Sequence, residues 1–168
     1  MAESTGVLAR VITVSDRSAA GLRPDASGPA AADALRAAGY VPSVAVVPDG
    51  ADAVAAALLD ALASGARLIV TTGGTGVGPR DLTPEGTRGV LNVEVPGIAE
   101  AVRRRGQEAS PHGVLTRGLA GVVRPGDASA EGALIVNLPG KPAAVAEGLE
   151  VVLPLAPHLL DQLQGGDH

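Results

Sequence analysis

The sequence predicts an α/β fold, a three-layer αβα arrangement around a mostly parallel, doubly wound sheet, and three observations carry that expectation. Short unbroken apolar runs occur at Val7 to Val14, Val44 to Val47, Leu68 to Val70 and Ala133 to Val136, and runs of this kind read as strands buried on both faces. Alanine-rich stretches of helical length, Pro29 to Ala38 and Asp52 to Ala63, separate the first three runs. The resulting β-α-β-α-β order calls for right-handed crossovers that place helices on both sides of the sheet.

Each element has its own local signal. The first strand leads into Ser15-Asp16-Arg17, where Asp16 and Arg17 are expected to form a local ion pair, and then into Asp25-Ala26-Ser27-Gly28-Pro29, where Asp25 and Ser27 are expected to cap a helix. In the second helix Val54, Leu58 and Leu62 recur at four-residue spacing and define its buried face. From Gly73 to about Arg124 the chain is richer in Gly, Pro and Arg and should make an excursion from the sheet. Pro84 and Pro142 suit first helical turns, with Thr83 as the cap before the former. Arg103-Arg104-Arg105 reads as an exposed helix face. Pro154 and Pro157 predict a kink or a break in a final helical stretch from about Ala143 towards Leu163. Residues 1–168 read as a single domain with its core at about 7–163 and short flexible termini, Gly165 to His168 forming a frayed tail.

Composition excludes several functions. Thirteen basic against eighteen acidic residues give a net charge of −5, without the phosphate attraction of a general nucleic-acid binder. The chain has no cysteine, hence no disulfide framework, thiolate metal site or cysteine nucleophile. Tyr40 is the only aromatic residue, so base-stacking platforms are absent. Mean hydropathy is +0.27, yet no apolar run approaches the roughly 18 residues of a spanning helix, and no membrane partner is expected. Met1 to Gly6 carries no export signature, so the cytoplasm is the expected compartment. His112, His158 and His168 are scattered without metal-ligand spacing.

In open parallel sheets ligands bind outside the carboxyl ends of the strands. The loop after the third strand, Thr71-Thr72-Gly73-Gly74-Thr75-Gly76-Val77-Gly78-Pro79-Arg80-Asp81, is glycine-rich enough for its amides to approach an anion. It lacks the Lys-Ser/Thr ending of a P-loop and the spacing of a dinucleotide fingerprint. Asp49 and Asp81 each follow a strand end, where a carboxylate can hold Mg²⁺ against phosphate oxygens; singly, each is also an ordinary turn or helix-start residue. Arg80 suits either phosphate or solvent. Lys141, the only lysine, follows Pro139-Gly140 and suits either solvent or a bound anion.

The ordered set Ser15-Asp16-Arg17, Asp25-x-Ser27-Gly28, Pro48-Asp49, Thr72-Gly73-Gly74-Thr75-Gly76, Arg80-Asp81-x-Thr83-Pro84-Glu85 and Asn137-Leu138-Pro139-Gly140 resembles the MogA/MoaB family of molybdenum cofactor biosynthesis. The resemblance runs from about Val7 to Leu160 and implies a fold of the molybdopterin-binding domain type. It implies transfer of AMP from Mg·ATP to the molybdopterin phosphate with release of pyrophosphate, so that ATP and molybdopterin are substrates and Mg²⁺ the cofactor. By motif position Asp49 and Asp81 are the catalytic and Mg²⁺-holding acids. Ser15, Gly73, Gly74, Thr75, Gly76, Thr116, Asn137, Pro139 and Gly140 are the substrate-binding positions, with Thr116 standing where relatives often have Ser. The resemblance also implies a homotrimer, with a hexamer as the alternative, and handover of product to the molybdenum-insertion enzyme. A non-catalytic molybdopterin carrier of the same family is the competing reading, and a domain of the larger insertion enzyme a third.

Overall fold

Alternation along three central strands divides the interior into two apolar cores. In the computed structural model, which describes residues 5–166, β1 (Leu8–Val14), β3 (Leu68–Thr72) and β6 (Ala133–Leu138) form the middle of one sheet. Ala9, Val11, Leu68, Val70, Leu134 and Val136 face α2 (Ser27–Ala37), α5 (Pro96–Ala109) and α6 (Pro142–Gln162). Ile12, Val14, Ile69 and Ile135 face the other way onto Val54, Leu58 and Leu62 of α3 (Ala51–Ala63). The expected three layers are present. Met1 to Ser4 of the leader reading, and Asp167 and His168 of the tail, lie outside the described residues.

The remaining elements are α1 (Asp16–Ala19), β2 (Val41–Val47), α4 (Thr83–Arg88), β4 (Val93–Glu94), a 3-10 turn at Pro111–Leu115 and β5 (Ala120–Val123). Strand order is β2-β1-β3-β6-β5-β4. The first four run parallel, while β5 is antiparallel to β6 and β4 antiparallel to β5. The excursion from 73 to 124 therefore returns to the sheet and extends its far edge.

Several local expectations are corrected. β2 is not buried on both faces: it is the edge strand, and Val41, Val44 and Val46 remain 39–46% exposed. α6 runs unbroken through Pro154 and Pro157, because both prolines lie on its exposed side, where water can serve the carbonyls they leave unpaired. Leu82, not Thr83, precedes α4 as its cap, and the Thr83 hydroxyl instead donates to the Gly73 carbonyl at 2.9 Å. Arg103 and Arg105 are only partly exposed: Arg103 donates to the Gly118 carbonyl and Arg105 pairs with Glu150 at 3.0 Å. Gly165 and Gly166 bond back to Gln162 and Asp161, so the chain is a defined turn as far as residue 166. By length and composition alone α6 could cross a membrane, but Val145, Leu149, Val152, Ala156 and Leu160 are its contribution to the core.

Candidate functional site

Parallel register brings the loops after β1, β2, β3 and β6 to one rim of the sheet: Val14 is level with Val47, Thr13 with Thr72, and Thr72 with Leu138. The first two loops clasp each other. The Asp16 amide donates to Asp49 Oδ2 at 2.8 Å, and the Asp49 amide donates to Asp16 Oδ1 at 3.0 Å. Arg80 completes the clasp, donating to Asp16 through Nε and Nη2 and to the Asp49 carbonyl at 2.8 Å. Asp16 therefore pairs with Arg80 rather than with its neighbour Arg17, the Arg80 fork meeting both carboxylate oxygens.

The glycine loop turns back sharply on leaving β3. Gly73 and Gly74 have φ of 93° and 64°, backbone that favours glycine. The loop is pinned by the Gly73 amide on the Leu138 carbonyl at 3.0 Å and by the Thr83 amide on the Gly74 carbonyl at 3.0 Å. Asp81 folds underneath, its Oδ2 accepting from the Gly78 amide at 3.0 Å. A Cβ at Gly78 would stand 2.8 Å from that same oxygen, so the carboxylate and the loop fit only while the position is bare. Asp49 Oδ1 lies near the start of the loop, 3.3 Å from where a Gly74 Cβ would stand.

These groups border two cavities. A polar one of about 340 Å³ is walled by Ser15, Asp49, Gly73, Gly74 and Asp81, together with Arg23 and the Asp25–Ser27 corner. An apolar one of about 550 Å³ is walled by Thr75, Gly76, Thr116 and Pro139, with Val102, Gly106, His112 and Leu115 on its outer side. Gly140 and Lys141 belong to both. The sequence-predicted set is thus brought to one rim and divided between two cavities, with one departure. Asn137 is buried beneath the rim, its amide donating to Thr71 at 3.0 Å and Thr87 at 2.9 Å and its oxygen accepting from the Leu119 amide. It braces β3, α4 and the entry to β5 and lines neither cavity.

Ala26, not Asp25 or Ser27, is the cap position of α2 and carries no side-chain cap bond; Asp25, one residue earlier, accepts from the Gly28 amide at 3.0 Å and takes the Thr13 hydroxyl at 2.8 Å. Ser27 adds only a 3.3 Å bond to Asp25 and pairs with the Thr72 hydroxyl at 2.8 Å. The hydrogen-bonded Arg80 guanidinium holds the Asp16 carboxyl below its usual value, and Arg117 does the same to Glu85. A folded-state pKa depressed in this way contributes stability fully above the unfolded value and loses it as pH falls through the folded one. Thermal melts from pH 7 to pH 3 are therefore expected to fall below about pH 4, with a shallower acid limb in Asp16→Asn and Glu85→Gln. Both pairs are solvent-exposed, so each effect is modest; an unchanged limb in both variants would refute the assignment.

Residues 10–158 match the family described as a probable molybdopterin binding domain. The chain belongs to this family. Within it, the chain is 42% identical to a molybdenum cofactor biosynthesis bifunctional protein of Synechococcus elongatus over 97% of its own length, but spans only 49% of that protein. It is 38% identical to a molybdopterin adenylyltransferase of Pyrococcus furiosus, covering 89% of this chain and 87% of the other. The molybdopterin biosynthesis Mog protein from Mycobacterium ulcerans superposes with a TM-score of 0.85 at 42% identity, over 96% of this chain and 99% of that one.

Sequence reasoning about this molybdopterin binding domain missed the outer wall of the apolar cavity, built by α5 and the 3-10 turn. It also missed Arg23 and Ser18 of the polar cavity. Position on the rim was the available signal for the latter two, since Ser18 lies in α1 and Arg23 in the loop after it, both following the carboxyl end of β1.

Proposed function

We propose that this chain is a molybdopterin adenylyltransferase, transferring AMP from ATP to the terminal phosphate of molybdopterin and releasing pyrophosphate. The observation that carries the reading is that Asp49 and Asp81 border one polar cavity, Asp49 beside Gly74 and Asp81 beside Gly76 and Gly78 of the glycine loop, next to an apolar cavity large enough for a pterin. A phosphate oxygen of molybdopterin attacks the α-phosphorus of ATP, a new P–O bond forms, and the bond to the β-phosphate oxygen breaks. No protein nucleophile is required. Loop amides hold phosphate oxygens, and the site's contribution is positioning with charge stabilisation.

The donor set suits Mg²⁺. Among the described residues no group of three or more acidic or histidine side chains could cage a metal, whereas Mg²⁺ is commonly held by one or two carboxylates plus substrate phosphates. Asp49 and Asp81 each commit one oxygen to a backbone amide, leaving the other for the ion. When bound, the ion offsets charge on the departing pyrophosphate.

Incubation of the purified chain with molybdopterin and Mg·ATP should yield pyrophosphate and adenylylated pterin. Pterin binding without product above an Asp81→Ala control would leave the carrier reading in its place. We place the activity in the cytoplasm, with handover to the molybdenum-insertion enzyme. The assembly is a homotrimer, in keeping with the exposed apolar edge at Val41, Val44 and Val46. Light scattering at micromolar concentration should give three times the 16.5 kDa of the chain; a monomer would refute the trimer.

A further inference from the structure

Arg117 lines neither cavity, yet it is the side chain most heavily bonded to the loop that carries Asp81. Its Nε donates to the Gly76 carbonyl at 2.8 Å and its Nη2 to the Asp81 carbonyl at 2.7 Å. Nη1 and Nη2 also reach the two carboxylate oxygens of Glu85, at 2.5 Å and 3.3 Å. The Arg117 amide donates to the Thr75 carbonyl at 2.8 Å, and Thr116 beside it donates its hydroxyl to Thr75 at 2.9 Å. The strap holding Arg117 is itself fixed from below, where Arg103 of α5 donates to the Thr116 and Gly118 carbonyls at 3.4 and 3.1 Å.

The two carbonyls that Arg117 gathers lie at either end of the segment from Gly76 to Asp81, the part of the loop whose Gly78 amide holds the Asp81 carboxylate. One planar guanidinium thus sets the span of that segment. Its fork of fixed donors does this where an ammonium, a single point charge, could not satisfy both carbonyls and a carboxylate together. Glu85 supplies the opposite charge and pairs with the guanidinium, which also feels the nearby Asp81 charge.

We propose that Arg117 is a positioning residue for adenylyl transfer: by holding the Gly76 and Asp81 carbonyls at a fixed separation it aims the Asp81 carboxylate into the polar cavity. This deepens the adenylyltransferase reading and rests on it for its kinetic arm. Misplacing a catalytic group by about 1 Å can cost on the order of 100-fold in rate. Arg117→Ala is therefore expected to lower kcat by about 100-fold while changing the KM for ATP by less than about threefold. Arg117→Lys should resemble Arg117→Ala, and millimolar guanidinium should restore part of the Arg117→Ala turnover. Hydrogen exchange should speed up in 73–82 of Arg117→Ala and stay unchanged in α3 and β6.

Turnover of Arg117→Ala within about threefold of wild type would overturn the proposal. So would exchange that quickens throughout the sheet together with a collapse of the melting midpoint, since that marks a merely structural role. If the wild-type chain makes no product, the adenylyltransferase reading fails and local exchange decides alone: unchanged protection of 73–82 would then refute the loop-holding role, and selective loss would uphold it.

Discussion

Asp81→Asn should reduce adenylyl transfer by about 10³-fold and leave molybdopterin affinity within a few-fold of wild type. The substitution is nearly isosteric, and an amide oxygen can still accept from the Gly78 amide that now bonds Asp81 Oδ2 at 3.0 Å. Loop geometry is therefore preserved while a full negative charge is lost where the proposed reaction places the phosphates and the ion that offsets charge on the leaving group. Asp49→Asn should act in the same direction, since an amide oxygen can keep the bond from the Asp16 amide. Turnover assays paired with pterin titration check both. Equal loss of turnover and of pterin binding would mean that these acids shape the pterin seat and take no part in phosphate chemistry.

Gly73→Ala is expected to destabilise the fold by about 3 kcal/mol, and so to lower the melting midpoint by roughly 6–12 °C. Two independent features add here. The backbone sits at φ 93°, a region L side chains rarely adopt, and a Cβ would stand 2.4 Å from the Val14 carbonyl oxygen. That oxygen belongs to a buried strand end and cannot swing aside as a flexible side chain would. Gly97→Ala is the natural contrast: Gly97 lies in the first turn of α5, with no atom within 4 Å of its Cβ position and no positive φ. It should be neutral or stabilising by about 0.5–1 kcal/mol. Identical midpoints for the two variants would show that neither the turn nor the close approach constrains the loop.

The central strands were legible because β1, β3 and β6 are covered by helices on both faces and therefore read as unbroken apolar runs. The start of β2 was hidden by Pro42 and Ser43, which an exposed edge strand tolerates and a central one does not. β4 and β5 have only two and four residues, too few to establish a period. They are defined by partners: a Cβ on Gly121 would stand 2.5 Å from the Val93 carbonyl, a closeness that no local pattern announces.

Within the site, Asp49 and Asp81 could be found because each lies in the loop that leaves a strand's carboxyl end, Asp49 just after β2 and Asp81 at the far end of the glycine loop after β3, where parallel topology gathers ligands. Asn137 shows the limit of motif position. It sits two residues beyond Ile135 on a strand, hence on the same sheet face, and that face is closed by α3 and α4. Arg117 was out of reach for another reason: its partners Gly76, Asp81 and Glu85 lie 41, 36 and 32 positions away, and no spacing rule links an arginine after a 3-10 turn to a loop so distant.

The Gly140–Lys141 pair, shared by both cavities, carries a consequence for kinetic order. On the proposed reading, nucleotide phosphates take one cavity and the pterin the other, and neither is required to bind before the other. Initial-velocity lines should therefore intersect rather than run parallel.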